Sequence, residues 1–283
     1  GITSRAVYYY QFEAFSAPCE LHIDALSASI ADTAAKVVFE NAKRLEQRYS
    51  FFRNDSELHT LNTRSSNICL LSDELSGLIQ LSLFYRDKTL GAFDIAMAGT
   101  LKESSNASST LEYHAKRKTL LPFASSSHLS LEGNCLTFTN PITKIDLGGL
   151  VKEYAVDQSI LQLQSMEITS GLVNFGGDIA AFGTCHDHSW RVGIQNPQNP
   201  ETNLAEIELN TASLCTSGHS KRYSIIQFEK ISHIIGPIDA PSSYSQVSIL
   251  APTTVDAGIW STAMLVNPDL TLPNHIKMVH SIP

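Results

Sequence analysis

An α+β fold is predicted, with mixed or antiparallel sheets and packed helices. Three observations predict it. Helical and alternating patterns interleave along the chain without the strict strand–helix–strand rhythm of a parallel sheet. The chain has 283 residues, 43% of them hydrophobic and 17% charged, which is enough for a sizeable core. No internal repeat divides it. The expectation is a single domain over residues 1–283, with a Ser-rich variable insertion at about 101–130.

The elements follow from local patterns. "YYYQFEAFSAPCELHID" mixes aromatic and alternating residues and reads as strands. "LSASIADTAAKVVFENAKRLEQRYS" places Ala, Val and Leu at helical spacing with basic residues late, an amphipathic helix. "FFRNDSELHTLN" reads as a turn into a short helix, with Asp55 or Ser56 as N-cap. "SDELSGLIQLSLFYRDKTLGAF" opens on Ser72 and Glu74 as a capped helix, and Gly91 is its stop. The segment 101–130, with "ESSNASST" and "FASSSH", is weakly patterned and reads as a flexible surface insertion. "HLSLEGNCLTFTN" reads as a hairpin around Glu-Gly-Asn. "GGLVKEYAVDQSILQLQSM" is a helix entered through two glycines. "SGLVNFGGDIAAFG", "SWRVGIQNP", "NLAEIELNTASLCTSG" and "SQVSILAP" read as strands, and "DAGIWSTAMLV" as a closing helix.

Composition excludes some functions. Net charge is 20 − 28 = −8, so no basic surplus is available to hold a phosphate backbone, and nucleic acid is not an expected partner. No apolar run reaches the length of a transmembrane helix. The first residues, "GITSRAVYYYQFEAF", show no signal-peptide pattern, and the compartment stays open. The five cysteines, Cys19, Cys69, Cys135, Cys185 and Cys215, are widely spaced with no C-x-x-C pair, so they read as free thiols rather than a zinc site.

Several stretches carry possible chemistry. In "KIDLGGLVKEYAVD" a short strand leads through Gly148 and Gly149 into a helix, whose first N–H groups suit an anion, with Lys152 on the first turn. An ordinary strand-to-helix turn has the same pattern. In "VNFGGDIAAFG" a Gly-Gly pair precedes Asp178, which could hold a ribose hydroxyl or a substrate N–H, or could stabilise a bulged strand. "CTSGHSKRY" sets Thr216, Ser217 and Gly218 ahead of Lys221 and Arg222, either a phosphate-binding turn or a polar loop. In "SHIIGP", His233 suits proton transfer near neutral pH, or is a structural histidine. "APTTVDAGIWSTAML" carries Asp256 and Thr262, but the residue one turn before Thr262 is Gly258, with no side chain.

Taken in order, these pieces resemble the ApbE family, the FAD:protein FMN transferases, over nearly the whole chain. "FEAFSAPCEL" resembles that family's opening Met-Gly-Thr or Met-Gly-Ser-Pro-Cys-Glu segment, and "RYSFFRNDSELHTLN" its Ser-Glu-Leu segment. "AFDIAMAGTL" resembles its Phe-Asp-Pro motif, and "IDLGGLVKEYAVD" is close to its Asp-Leu-Gly-Gly…Lys-Gly-Tyr-Ala-Val-Asp motif. "VNFGGDIAAFG", "TSG", the His-Ile-Ile of "SHIIGP" and "APTTVDAGIWSTAML" follow in the family's order.

The resemblance implies an α+β fold that binds FAD and a divalent metal, usually Mg²⁺. It implies transfer of FMN from FAD to a Thr or Ser hydroxyl of an acceptor flavoprotein, and some members hydrolyse FAD to FMN and AMP. By position it implies His233 in transfer and Asp94, Gly148, Gly149, Lys152, Asp178, Thr216, Ser217 and Gly218 at the flavin site. It implies a backbone carbonyl of Gly149 and the hydroxyl of Thr262 at the metal.

The sequence also departs from the family. The metal-binding Asp falls on Gly258, which removes the carboxylate from that helix face. Asp256 is the nearest replacement, and only a frayed helix start would turn it inward. The Gly after the motif Lys is Glu153, an acid beside an expected phosphate site. Phe15, Ser16 and Ala17 replace Met-Gly-Thr, Ile95 replaces the Pro after Asp94, and Gly236 replaces the Asp of His-Ile-Ile-Asp-Pro. Two readings stand: a flavin transferase with weakened or metal-altered activity, or a non-catalytic flavin- or partner-binding paralogue that serves assembly of a redox complex. Loss of FAD binding altogether is a third. If only one ligand is missing, Gly258→Asp is expected to restore metal affinity.

Overall fold

Alternating burial at the N-terminus explains its two strands, Ala6–Ala14 (β1) and Ala17–Ala25 (β2): Cys19, Leu21, Ile23 and Ala25 face the core and the residues between them do not. The turn joining them puts Phe15 at φ 56° and Ser16 at φ 55°, the left-handed pair a two-residue hairpin turn requires. In this computed structural model, residues 5–218, 223–226, 229–232 and 244–283 are described.

Helix α1 (Ala28–Tyr49) follows, capped by Ser27 and burying Ala31, Ala34, Ala35, Val38, Ala42 and Leu45 on one face. Ser56, not Asp55, caps α2 (Glu57–Asn62). Strand β3 (Ile68–Leu70) leads to α3 (Asp73–Lys88), where Ser72 accepts from the Leu75 N–H; Glu74 instead reaches Arg44 and Tyr49. Gly91 ends this run at φ 81°, its N–H donating to the Arg86 carbonyl.

The Ser-rich stretch is ordered helix rather than a loose insertion. After α4 (Ile95–Leu101) it carries a 3₁₀ turn at Lys102–Asn106 and α5 (Thr110–Leu120), with Ser109 as the N-cap of α5 and Tyr113 buried. Serines there act as caps, a role that composition alone reads as looseness. The hairpin β4 (Leu129–Glu132) and β5 (Cys135–Phe138) turns at Gly133 as expected and pairs with β3.

Helix α6 (Gly148–Ser165) precedes β6 (Ser170–Phe175) and β7 (Asp178–Phe182). A short strand β8 (Thr184–Cys185), then β9 (His188–Asn196) and β10 (Asn199–Leu209), form a separate three-stranded ribbon. Strand β11 (Ala212–Gly218), the pair β12 (Tyr223–Ile226) and β13 (Glu229–Ser232), β14 (Gln246–Ala251), α7 (Thr254–Val266) and β15 (Lys277–Ile282) complete the described chain.

A seven-stranded antiparallel sheet in the order β1-β2-β6-β7-β11-β14-β15 organises the molecule. One face packs on α1, α6 and α7 through Leu21, Ile23, Val173, Phe175, Val255 and Ile259. The other face packs on the β9–β10 ribbon through Leu172, Ile179, Leu214, Trp190, Val192 and Ile194. Period-two alternation therefore gives each central strand one side for the helices and one for the ribbon. Among the described residues, no helix is long and apolar enough to cross a membrane.

Candidate functional site

The packing of α6 on α7 sets the first part of the site. Residues four apart on a helix share a face, so Gly149, Glu153 and Asp157 form one stripe on α6, and Thr254, Gly258 and Thr262 form one on α7. The stripes meet in antiparallel fashion at two of these levels. Asp157 accepts from the Thr254 N–H at 2.8 Å and the Val255 N–H at 3.0 Å, so it caps the first turn of α7. One level along, a Cβ built on Gly258 would stand 2.5 Å from Glu153 Cγ and 3.2 Å from its Oε1. Glu153, only 3% exposed, therefore fills the space that a side chain at 258 would need. A Gly258→Asp side chain, expected from the sequence to restore a ligand, would have to displace the Glu153 carboxylate from that place.

Strand β11 lies under α7 and presents Ser213, Cys215 and Ser217 to it. Ser213 Oγ is 2.9 Å from Thr254 Oγ1, and Ser217 Oγ is 2.7 Å from Ser261 Oγ and 3.2 Å from Thr262 Oγ1. The Cys215 thiol is pushed well above its usual value by burial first, then by the nearby Asp178 and Glu153 carboxylates. Cys215, Asp178 and Glu153 thus share one buried neighbourhood.

Asp178 opens β7 and pairs with Lys152 of α6, Oδ2 to Nζ 3.0 Å, both largely buried. The Gly176–Gly177 turn beside them has φ 62° and 97°. A Cβ on Gly176 would meet the Ala17 methyl at 2.7 Å and Lys152 Nζ at 3.3 Å, so glycine permits the lysine to reach the strand ends.

A groove of about 1410 Å³ runs along the ribbon side of the sheet and reaches Ala17, Gly176 and Gly177 at those strand ends. It exceeds the roughly 300–1,000 Å³ common for small-ligand pockets. His22 and Trp190 wall it with ring centroids 5.9 Å apart, and the Tyr9 ring is tilted against His22 at 4.9 Å. Burial lowers the His22 pKa from its ordinary value, against the pull of Glu20. Of the flavin-site candidates Thr216 lines this groove, its Oγ1 2.8 Å from Ser248 Oγ. His22, Asn174 and Trp190 escaped sequence reasoning, because isolated residues on alternating strands form no motif.

Other expected residues lie differently. Thr216, Ser217 and Gly218 belong to the paired strand β11 rather than to a turn. Asp94 caps α4: its Oδ1 accepts from the Ala96 and Met97 N–H groups and from Ser126 Oγ, and its Oδ2 from the Ser126 N–H. The Gly148 N–H donates to Asp146 Oδ1 at 2.9 Å, so part of the α6 start already has an internal acceptor. Asp256 points away from the α6 stripe, accepting from the Tyr85 hydroxyl and facing His275 at 3.7 Å. It sits inside α7 with Thr253 as N-cap, so no frayed start turns it inward. His233 and Gly236 lie outside the described residues, as do Lys221 and Arg222.

The donor set at the α6–α7 corner is a carboxylate with hydroxyls and helix-start backbone, all oxygen, which suits a hard divalent cation. Among the described residues no group of three or more His, Cys, Asp and Glu side chains is gathered as a cage. Mg²⁺ does not require one, since it uses one or two carboxylates and completes its shell with water and substrate phosphates.

The fold is one shared with solved flavin transferases. The ApbE protein of Thermotoga maritima superposes with a TM-score of 0.83 at 23% identity, covering 92% of this chain and 87% of that one. The flavin transferase ApbE of Vibrio cholerae superposes at 0.78 and 20% identity, covering 99% and 98%. The ApbE family pattern matches residues 15–278, and the chain belongs to that family. Its homologues are FAD:protein FMN transferases. That of Treponema pallidum is 25% identical over 271 residues, 84% of this chain and 72% of that protein. That of Escherichia coli is 27% identical over 236 residues, 78% of this chain and 67% of that protein.

Proposed function

We propose that this chain binds FAD and transfers its FMN moiety to a Thr or Ser hydroxyl of an acceptor flavoprotein. The observation that carries the reading is the Lys152–Asp178 pair, at 3.0 Å, beside Gly176, which lines the end of the groove and leaves room for the lysine. Separate stretches of sequence meet there, Ala17, Lys152, and Gly176 with Asp178, and Thr216 lines the same groove. The groove accepts the extended ligand along the aromatic wall, and Lys152 offers positive charge where the pyrophosphate would end.

In the reaction the acceptor hydroxyl oxygen forms a bond to the FMN phosphorus. The pyrophosphate P–O bond breaks, AMP departs, and the hydroxyl proton passes to a base. The resemblance assigns His233 to the transfer. A divalent cation would be held by the oxygen donors between α6 and α7, and when bound it would neutralise pyrophosphate charge. Asp157 keeps the two helices in register, and Asp178 holds the Lys152 ammonium in place.

The test is incubation with FAD, with and without Mg²⁺, followed by chromatographic separation of FAD, FMN and AMP. Metal-dependent release of AMP supports the reading. Absence of any rise in flavin fluorescence anisotropy, even at high micromolar protein, overturns it.

A further inference from the structure

We propose that the metal carboxylate of this chain has moved from α7 to α6, with Glu153 supplying the group that residue 258 lacks. The inference rests on the FMN-transferase reading and deepens it. Two positions differ from the family pattern together: an Asp is replaced by Gly258, and a Gly by Glu153. In the fold these two positions touch. The position of a Cβ on Gly258 is 2.5 Å from Glu153 Cγ, 3.1 Å from Cδ and 3.2 Å from Oε1. A glutamate is one methylene longer than an aspartate, and the missing side chain at 258 leaves the gap it crosses. The carboxylate is thus delivered to the same space from the opposite helix.

The surroundings match a cation's needs. Glu153 shares its helix face with Gly149, and Gly258 shares its face with Thr262. Thr262 is linked to Ser217 at 3.2 Å, which in turn meets Ser261 at 2.7 Å, so hydroxyl oxygens border the same corner. Glu153 is buried beside Cys215 and Asp178, a neighbourhood of oxygen and sulfur atoms rather than of apolar side chains alone. Asp157 caps α7, Asp178 pairs with Lys152, and Asp256 faces Tyr85 and His275.

Mn²⁺ binding, followed by electron paramagnetic resonance of the free ion with ADP as phosphate donor, tests the proposal. Wild type, Glu153→Gln, Asp256→Asn and the exchange variant Glu153→Gly/Gly258→Asp are compared, with circular dichroism to confirm folding and FAD anisotropy in the same samples. The expected result is at least about a tenfold weaker Mn²⁺ affinity in Glu153→Gln, with wild-type affinity in Asp256→Asn and recovery to within about threefold in the exchange variant. The proposal is overturned if folded Glu153→Gln binds Mn²⁺ as wild type does, if Asp256→Asn is the variant that loses it, or if wild type binds none. FAD binding that persists in those cases leaves the flavin reading standing, whereas loss of both Mn²⁺ and FAD binding by wild type rejects the two together.

Discussion

Glu153 and Gly258 compete for one space: a Cβ on the glycine would stand only 2.5 Å from Glu153 Cγ, closer than two carbons can pack. A side chain at 258 therefore has to displace Glu153. Gly258→Asp alone is expected to cost about 1–3 kcal/mol from overpacking, with like-charge burial added to it. Adding Glu153→Gly should recover most of that loss. Urea denaturation of both single variants and the double variant measures the coupling, and additive effects would contradict direct contact.

The Lys152–Asp178 pair is largely buried, with side-chain exposures of 14% and 7%. Lys152→Met leaves Asp178 as a buried charge without its cation. The expected loss is about 3–5 kcal/mol of stability, together with weaker FAD binding. Asp178→Asn should recover part of the stability in the Lys152→Met background without recovering FAD affinity, as read by melting and anisotropy.

Asp157 holds α7 to α6 through two amide hydrogen bonds. Burial raises its carboxyl above the usual 3.8, although those bonds pull the other way. The folded chain therefore keeps this proton to higher pH than the unfolded chain does. The contribution to stability is greatest below 3.8 and declines as pH rises through the raised folded value. Asp157→Asn should remove that slope, so the stability advantage of wild type over the variant shrinks as pH rises from 3.8. Denaturant melts across that window test the sign.

Asp94 accepts four hydrogen bonds, from Ala96, Met97 and Ser126, and closes α4 against the segment that follows α5. Asp94→Ala is expected to lower stability by about 2–3 kcal/mol, since a cap is lost and buried donors are left open. The loss should show in the melting midpoint, with FAD affinity of the still-folded protein little changed. A large fall in affinity without a fall in stability would place Asp94 at the flavin instead.

Much of this architecture is legible locally. Ser72, Ser56 and Gly91 mark helix ends by their own chemistry, and the Glu-Gly-Asn hairpin and the α7 helix follow from pattern. The Ser-rich stretch misled because a serine has the same composition value in a cap as in a loop; only the position of Ser109 before Thr110–Leu120 distinguishes them. The site was legible as separate motifs but not as a constellation. Glu153 looked like an intruding acid and Gly258 like a lost ligand, because nothing in sequence says that two residues so far apart share one volume. The aromatic wall of His22 and Trp190 was invisible for the same reason: it is made by a strand of the sheet and a strand of the ribbon facing each other.

The most direct measurement is anomalous diffraction from crystals of the protein containing Mn²⁺ and ADP. A single anomalous peak between the Glu153 carboxylate and the Thr262 hydroxyl is the predicted result, with Asp256 still turned toward Tyr85. A peak at Asp256, or none in the α6–α7 corner, would contradict the transfer of the carboxylate from one helix to the other.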